Sequence, residues 1–119
     1  MSLQKQREIR HYICSDDVSK TVNPEKQSRH IIGSPGYIKG RSYLLPEVDA
    51  QELVDRYHGT GTIRLNRAGD AWINKELVVA DKYIGVSINH ITGEETATNR
   101  FTIHYSNTGT HVVPTERKE

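Results

Sequence analysis

The chain has 119 residues, which is enough for one domain with a modest core. Sixteen basic residues face 15 acidic ones, excluding a broad polycationic surface that binds nucleic acid by counterion release alone. The single cysteine, Cys14, excludes an intramolecular disulfide, and with no apolar run of about 18 residues and no signal-peptide core the chain is expected neither to span a membrane nor to export itself.

Leu3 to Asp16 reads as a short amphipathic helix, with Leu3, Ile9, Tyr12 and Ile13 on a loose stripe. Ser15 to Pro24 is polar and ends in the turn dipeptide Asn23-Pro24. Residues 1–25 are therefore expected to be a tail or joining segment, and residues 26–117 the domain proper. Glu25 to Arg41 reads as an ordered loop region punctuated by Gly33, Pro35, Gly36 and Gly40. It carries a local basic patch of Lys26, Arg29, His30, Lys39 and Arg41, and His30 to Gly33 could be a short strand or a helix end.

The clearest helix runs from Asp49 to His58. Leu53, Val54 and Tyr57 form its buried side, Gly59 ends it, and His58 is placed to cap its last carbonyls. Thr62 to Asn66 then alternates as a strand, and Arg67 to Asp70 makes a turn. Trp72 to Ala80 and Tyr83 to Ile88 follow as strands, with Asn89 to Gly93, including His90, as another turn. This order predicts an α+β fold: an N-terminal helical region packed on one antiparallel sheet of four to five strands. Leu53, Val54 and Tyr57 should pack on Ile63, Leu65, Ile84, Val86, Ile103 and Tyr105.

The densest chemistry lies in the last hairpin. Phe101, Ile103 and Tyr105 point one way, while Thr102, His104 and Ser106 point the other. Asn107 to Thr110 supplies the turn, and His111-Val112-Val113 returns until Pro114 stops the ladder. A loop of two or four residues pairs Ser106 with His111 and puts His104, Ser106 and His111 on one polar face. A three-residue loop would break that segregation, so binary patterning favours the even loop. Two imidazoles on one face offer a general acid and a general base near neutral pH, as cleavage of an RNA phosphodiester requires. Two other readings stand beside this one. Such residues on an open sheet face can be merely solvated. Zinc on His104, His111 and a third residue is the other, although no Cys pair, His-x-x-x-His or acidic ligand spacing accompanies them.

Several segments carry a resemblance in consistent order: Lys26-Gln-Ser-Arg-His-Ile-Ile-Gly33, Gly40-Arg-Ser42, Gln51 to Gly61, Ile84-Gly-Val86, Thr92-Gly93 and Phe101 to Pro114. Over about residues 26 to 114 the chain resembles the bacterial polymorphic toxin type 50 domain, found at the C-termini of polymorphic toxins and phage head-morphogenesis proteins. The resemblance implies a ribonuclease of the barnase–EndoU–colicin–RelE superfold, with a helical part followed by an antiparallel sheet bearing the site. Residue by residue it points to His30 in Lys-Gln-x-x-His and to Arg41 and Ser42 in Gly-Arg-Ser. In the hairpin it points to His104, Ser106 and His111. The family pattern often has Lys after the His-Tyr-Ser element, where this chain has Asn107; Arg41 or Arg100 would then have to hold phosphate.

The expected mechanism is metal-independent. A base takes the ribose 2′-OH proton, the oxygen attacks phosphorus, and an acid protonates the leaving 5′-oxygen. His30 with His104 or His111 would supply acid and base, without the sequence assigning which is which. Arg41, Ser42, Arg100, Ser106 and Thr110 would contact phosphate. Glu76 is an alternative base if it faces the histidines and otherwise a solvated strand carboxylate. The expected partners are an RNA substrate, tRNA among the candidates, a cognate immunity protein, and a larger carrier protein or phage particle that delivers the domain to a bacterial cytoplasm. No membrane, metal or cofactor is expected. The competing reading is a non-catalytic structural or binding module of a phage or prophage head protein.

Overall fold

The computed structural model describes residues 2–117. Ser2 accepts the Lys5 amide at 3.1 Å and so caps α1 (Leu3–Ile13), which buries Ile9 and Ile13. Leu3 and Tyr12, the other members of the expected stripe, stay exposed. Residues 2–25 are more than a tail, and Met1 lies outside the described residues. Ile9, Ile13 and Val18 belong to the core. Beyond them, the Thr110 amide donates to the Thr21 carbonyl at 3.0 Å, and the Asn23 amide donates to the Thr110 carbonyl at 2.8 Å. A polar stretch covering a buried neighbour needs such partners for its backbone, which composition alone does not display.

Asn23 then caps α2 (Pro24–Ser28) by accepting the Lys26 amide at 3.1 Å, with Pro24 at its first position. This turn of helix forms inside the expected loop region. Asp49 caps α3 (Ala50–Tyr57) through the Gln51 amide at 3.1 Å. At its other end the His58 Nδ1–H donates to the Val54 carbonyl at 2.7 Å, the capping role expected of it.

The α+β organisation holds, but seven strands are divided between two sheets. Strands β1 (Tyr43–Leu44), β4 (Gly85–Ile88) and β5 (Glu95–Thr98) pair in the order β1-β4-β5. Strands β2 (Thr62–Leu65), β3 (Trp72–Val79), β6 (Arg100–His104) and β7 (His111–Pro114) pair in the order β2-β3-β6-β7. All these pairs are antiparallel. The split occurs at Asn99, between β5 and β6. Its carbonyl accepts the Ala80 amide at 2.8 Å and its side chain donates to the Ala80 carbonyl at 3.1 Å, so the chain crosses from one sheet to the other.

The larger sheet separates its two faces by register. Ile63, Glu76, Ile103 and Val112 form one cross-strand row, all buried. The next row, Arg64, Lys75, His104 and His111, points the opposite way. Leu53 and Val54 of α3 enter the core beside Ile63, Ile84, Ile103 and Tyr105, and Tyr57 meets Phe101 edge-on with ring centroids 5.8 Å apart. Leu65 packs against this core, whereas Val86 is half-buried on β4 and outside the cluster. Between Arg64 and Leu65 the β2–β3 ladder slips, with Asn74 at φ 63, a left-handed conformation Asn tolerates. Among the described residues no helix is long and apolar enough to cross a membrane.

Candidate active site

His104 and His111 are direct cross-strand partners, with ring centroids 4.7 Å apart and planes 17° from parallel. The register differs from the expected one, in which Ser106 faces His111. Here β6 ends at His104 and Tyr105 to Thr110 form the connection. That loop is also even, so both histidines keep the same face.

The Lys-Gln-x-x-His segment brings a third imidazole. Gln27 is buried, and its side-chain amide donates to the Val112 carbonyl at 2.9 Å while accepting the Val112 amide at 2.7 Å. This seats α2 on the open edge of β7. One helical turn later, His30 stacks on His111 at 5.9 Å and 12°. Strand β1 holds His30 from its other side. The Leu44 amide donates to the His30 carbonyl at 3.0 Å, and His30 Nδ1 lies 2.8 Å from the Ser42 carbonyl. A carbonyl only accepts, so Nδ1 carries the hydrogen and Nε2 is left as the nitrogen able to take a proton. The three rings form one stack in the order His30, His111, His104.

Lys26, one residue before Gln27, reaches over the β6–β7 loop. Its Nζ donates to the Thr108 hydroxyl at 2.9 Å and the Ser106 hydroxyl at 3.2 Å. Lys26 thus brings an amino group to the loop that contains Asn107. Lys75 lies beside His104 in the cross-strand row. In the sequence Lys26 belongs to the local basic patch, while Lys75 does not stand out. Lys26 could be found from its place in the Lys-Gln-x-x-His motif, whereas Lys75 depends on a register that no local pattern reveals.

This crowding sets the charge state. His104 is pushed down to about 3, mainly by burial and then by the positive charges of His111, Lys75 and His30. His111 is pushed down to about 4, again mainly by burial, then by His30, Lys26 and Arg29. His30 is also lowered by burial, with Arg41 and Arg29 adding to the effect and its bond to Ser42 opposing it. All three imidazoles therefore favour the neutral form at pH 7, ready to accept a proton. His111 Nδ1 is buried without a hydrogen-bond partner among the described residues, leaving unused polar capacity in the middle of the stack.

Other expected site residues fall elsewhere. Arg41 is exposed and close enough to His30 to act on its charge. Ser42 positions His30 through its carbonyl, while its hydroxyl accepts the Ile88 amide at 2.9 Å. Ser106 lies in the loop rather than on β6, engaged with Lys26. Thr110 is fully buried, its hydroxyl donating to the Ser19 carbonyl at 2.6 Å, so it is turned away from any phosphate. Arg100 shares the face of His104 but stands four positions along β6, about 13 Å away.

Glu76 takes neither of its expected places. It is fully buried on the core face, accepting the Gly59 amide at 3.0 Å, the Gly61 amide at 2.7 Å and the Tyr105 hydroxyl at 2.6 Å. Tyr105's own burial, and then the charge of Glu76 and its hydrogen bond, push the tyrosine's pKa well above the usual range. His90 lies in the exposed turn as expected. Among the described residues no group of three or more His, Cys, Asp or Glu is arranged to hold a metal ion.

No curated protein matches the chain. The profile of the family described as bacterial toxin 50 matches residues 22–114, which include every member of the histidine stack, Lys26, Gln27 and all seven strands. That match spans well over half of the chain, and the protein belongs to the bacterial toxin 50 family.

Proposed function

We propose that this toxin domain is a metal-independent endoribonuclease that cleaves RNA by attack of the ribose 2′-oxygen on the adjacent phosphorus. The observation that carries the reading is the stack of His30, His111 and His104, with neighbouring ring centroids 5.9 and 4.7 Å apart. Acid and base must reach the leaving and attacking oxygens of one phosphodiester, and that spacing suits them.

His30 is the better base. Its Nδ1–H is committed to Ser42, so Nε2 accepts the 2′-OH proton in a fixed orientation. His104 and His111 are half-exposed and neutral in the free protein. A bound phosphodiester supplies negative charge that favours their protonated form, so the substrate itself prepares the acid for the leaving 5′-oxygen. Lys26, with Arg41 nearby, holds charge that builds up on phosphorus. Each proton transfer contributes roughly 10²–10⁴-fold.

RNA, tRNA included, is the proposed substrate, met in a bacterial cytoplasm after delivery by a larger carrier or phage particle. A cognate immunity protein would hold the activity in check. Incubation of purified protein with total RNA in EDTA tests the chemistry. Cleavage leaving 2′,3′-cyclic phosphate ends is expected, and His104→Ala should abolish it. RNA left intact in every buffer, together with harmless expression inside cells, would favour a non-catalytic module of a phage head protein.

A further inference from the structure

On the outer face of the β2-β3-β6-β7 sheet, a groove of about 230 Å³ runs past His104 between Lys75, Thr102, Thr115 and Arg117. Every charged side chain on its walls is basic: Arg64, Lys75 and Arg117, with His104 at the site. That is notable in a chain whose charges nearly cancel. Four carboxylates, those of Glu47, Asp49, Glu52 and Asp81, line a separate cleft with Arg56 and Lys82. Register sets two of these cations in line with His104. Arg64, Lys75 and His104 are successive members of one cross-strand row, each one strand spacing, about 4.8 Å, from the next.

We propose that this groove holds the phosphate backbone of a single RNA strand beside the cleaved bond, with Lys75 and Arg117 as its phosphate contacts. The identity of the strand rests on the ribonuclease reading; the anion-binding character of the groove does not. Two features favour a polynucleotide over an acidic protein. His104 forms part of the wall, so a chain of phosphates lying in the groove is led directly onto the imidazole stack. The lining also lacks the aromatic anchors on which protein interfaces depend; its apolar part is aliphatic, with Ile73 the exposed member on which a sugar or base can rest.

Fluorescence anisotropy with a short 2′-O-methyl oligoribonucleotide, which cannot be cleaved, tests the assignment. Lys75→Ala and Arg117→Ala should each reduce the slope of log affinity against log salt by about 0.7, the value for one single-strand phosphate contact. Lys82→Ala, in the acidic cleft, should leave the slope unchanged. In cleavage assays Arg117→Ala should raise KM while kcat holds. An unaltered slope in the Lys75→Ala, Arg117→Ala double variant would overturn the proposal, as would an equal drop in Lys82→Ala. Polyglutamate bound more tightly than the oligonucleotide would assign the face to an acidic protein instead. A wild-type protein that binds the uncleavable strand through Lys75 and Arg117 yet cuts no RNA would sustain the groove and sink the enzyme. Cleavage indifferent to both residues would do the reverse.

Discussion

Gln27 and Val112 hold each other at both ends, the side-chain amide donating to the carbonyl at 2.9 Å and accepting the backbone N–H at 2.7 Å. A single side chain thus serves the edge of β7 as a neighbouring strand would. Gln27→Ala should leave both backbone groups of Val112 without partners and cost about 2 to 4 kcal/mol in urea unfolding. It should also release α2, so that cleavage falls even where the protein remains folded. A variant as stable and active as the parent would show that α2 is seated by other contacts.

Leu53 is 7 % exposed within the core cluster. Leu53→Ala should lower stability by about 2 to 5 kcal/mol through the cavity it leaves, measured from the denaturation midpoint. A loss below 1 kcal/mol, roughly, would mean that the core collapses around the gap or that α3 is loosely held.

Stability should depend on pH in a direction set by the histidine stack. His104 and His111 titrate at about 3 and about 4 in the folded protein, against about 6.5 in an unfolded chain. As pH falls the unfolded chain takes up protons first. The contribution of these rings is therefore complete above about pH 6.5 and is lost progressively on the way down to about pH 3. The melting temperature should drop between pH 7 and pH 4, and less steeply when His104→Asn and His111→Asn are combined. Parallel curves for the two proteins would refute the assignment.

Catalysis should separate the histidines. His104→Ala and His111→Ala should abolish RNA cleavage with little change in melting temperature, whereas His30→Ala should lose both activity and some stability, since the buried Ser42 bond goes with it. His90→Ala should cleave normally. Because the free protein keeps all three rings neutral at pH 7, kcat/KM should peak on the acid side of about pH 6.5. The kcat profile should lie at higher pH, raised by the bound phosphate. Lys75→Ala removes a positive charge beside His104 and should move the acid limb upward as well. Superimposable profiles would argue against phosphate-assisted protonation.

Helix α3 is legible in the chain because its cap, its apolar spacing and its terminating glycine are local signals. The shared face of His104 and His111 is also legible, since parity alone decides it. Their register is not. The loop from Tyr105 to Thr110 takes its form from distant partners: Thr110 is stitched to Ser19, Thr21 and Asn23, and Ser106 and Thr108 are held by Lys26. Glu76 shows the same limit more sharply. Between Lys75 and Leu77 it looks like an exposed strand residue, and only the amides of Gly59 and Gly61, brought in by the turn after α3, make its burial tolerable. The second sheet is hidden for a related reason, because its strands are two to four residues long and depend on one another for definition.

Helix α1 bears on how portable this fold is. The family match begins at residue 22, yet Ile9, Ile13 and Val18 lie in the interior before that point. Transplanted as residues 22–114 alone, the unit would carry an uncovered oily patch over Ile63 and its neighbours. Any host into which it is grafted must supply a substitute lid of similar shape. Residues 22–114 can thus move between proteins only together with something that does the work of this helix.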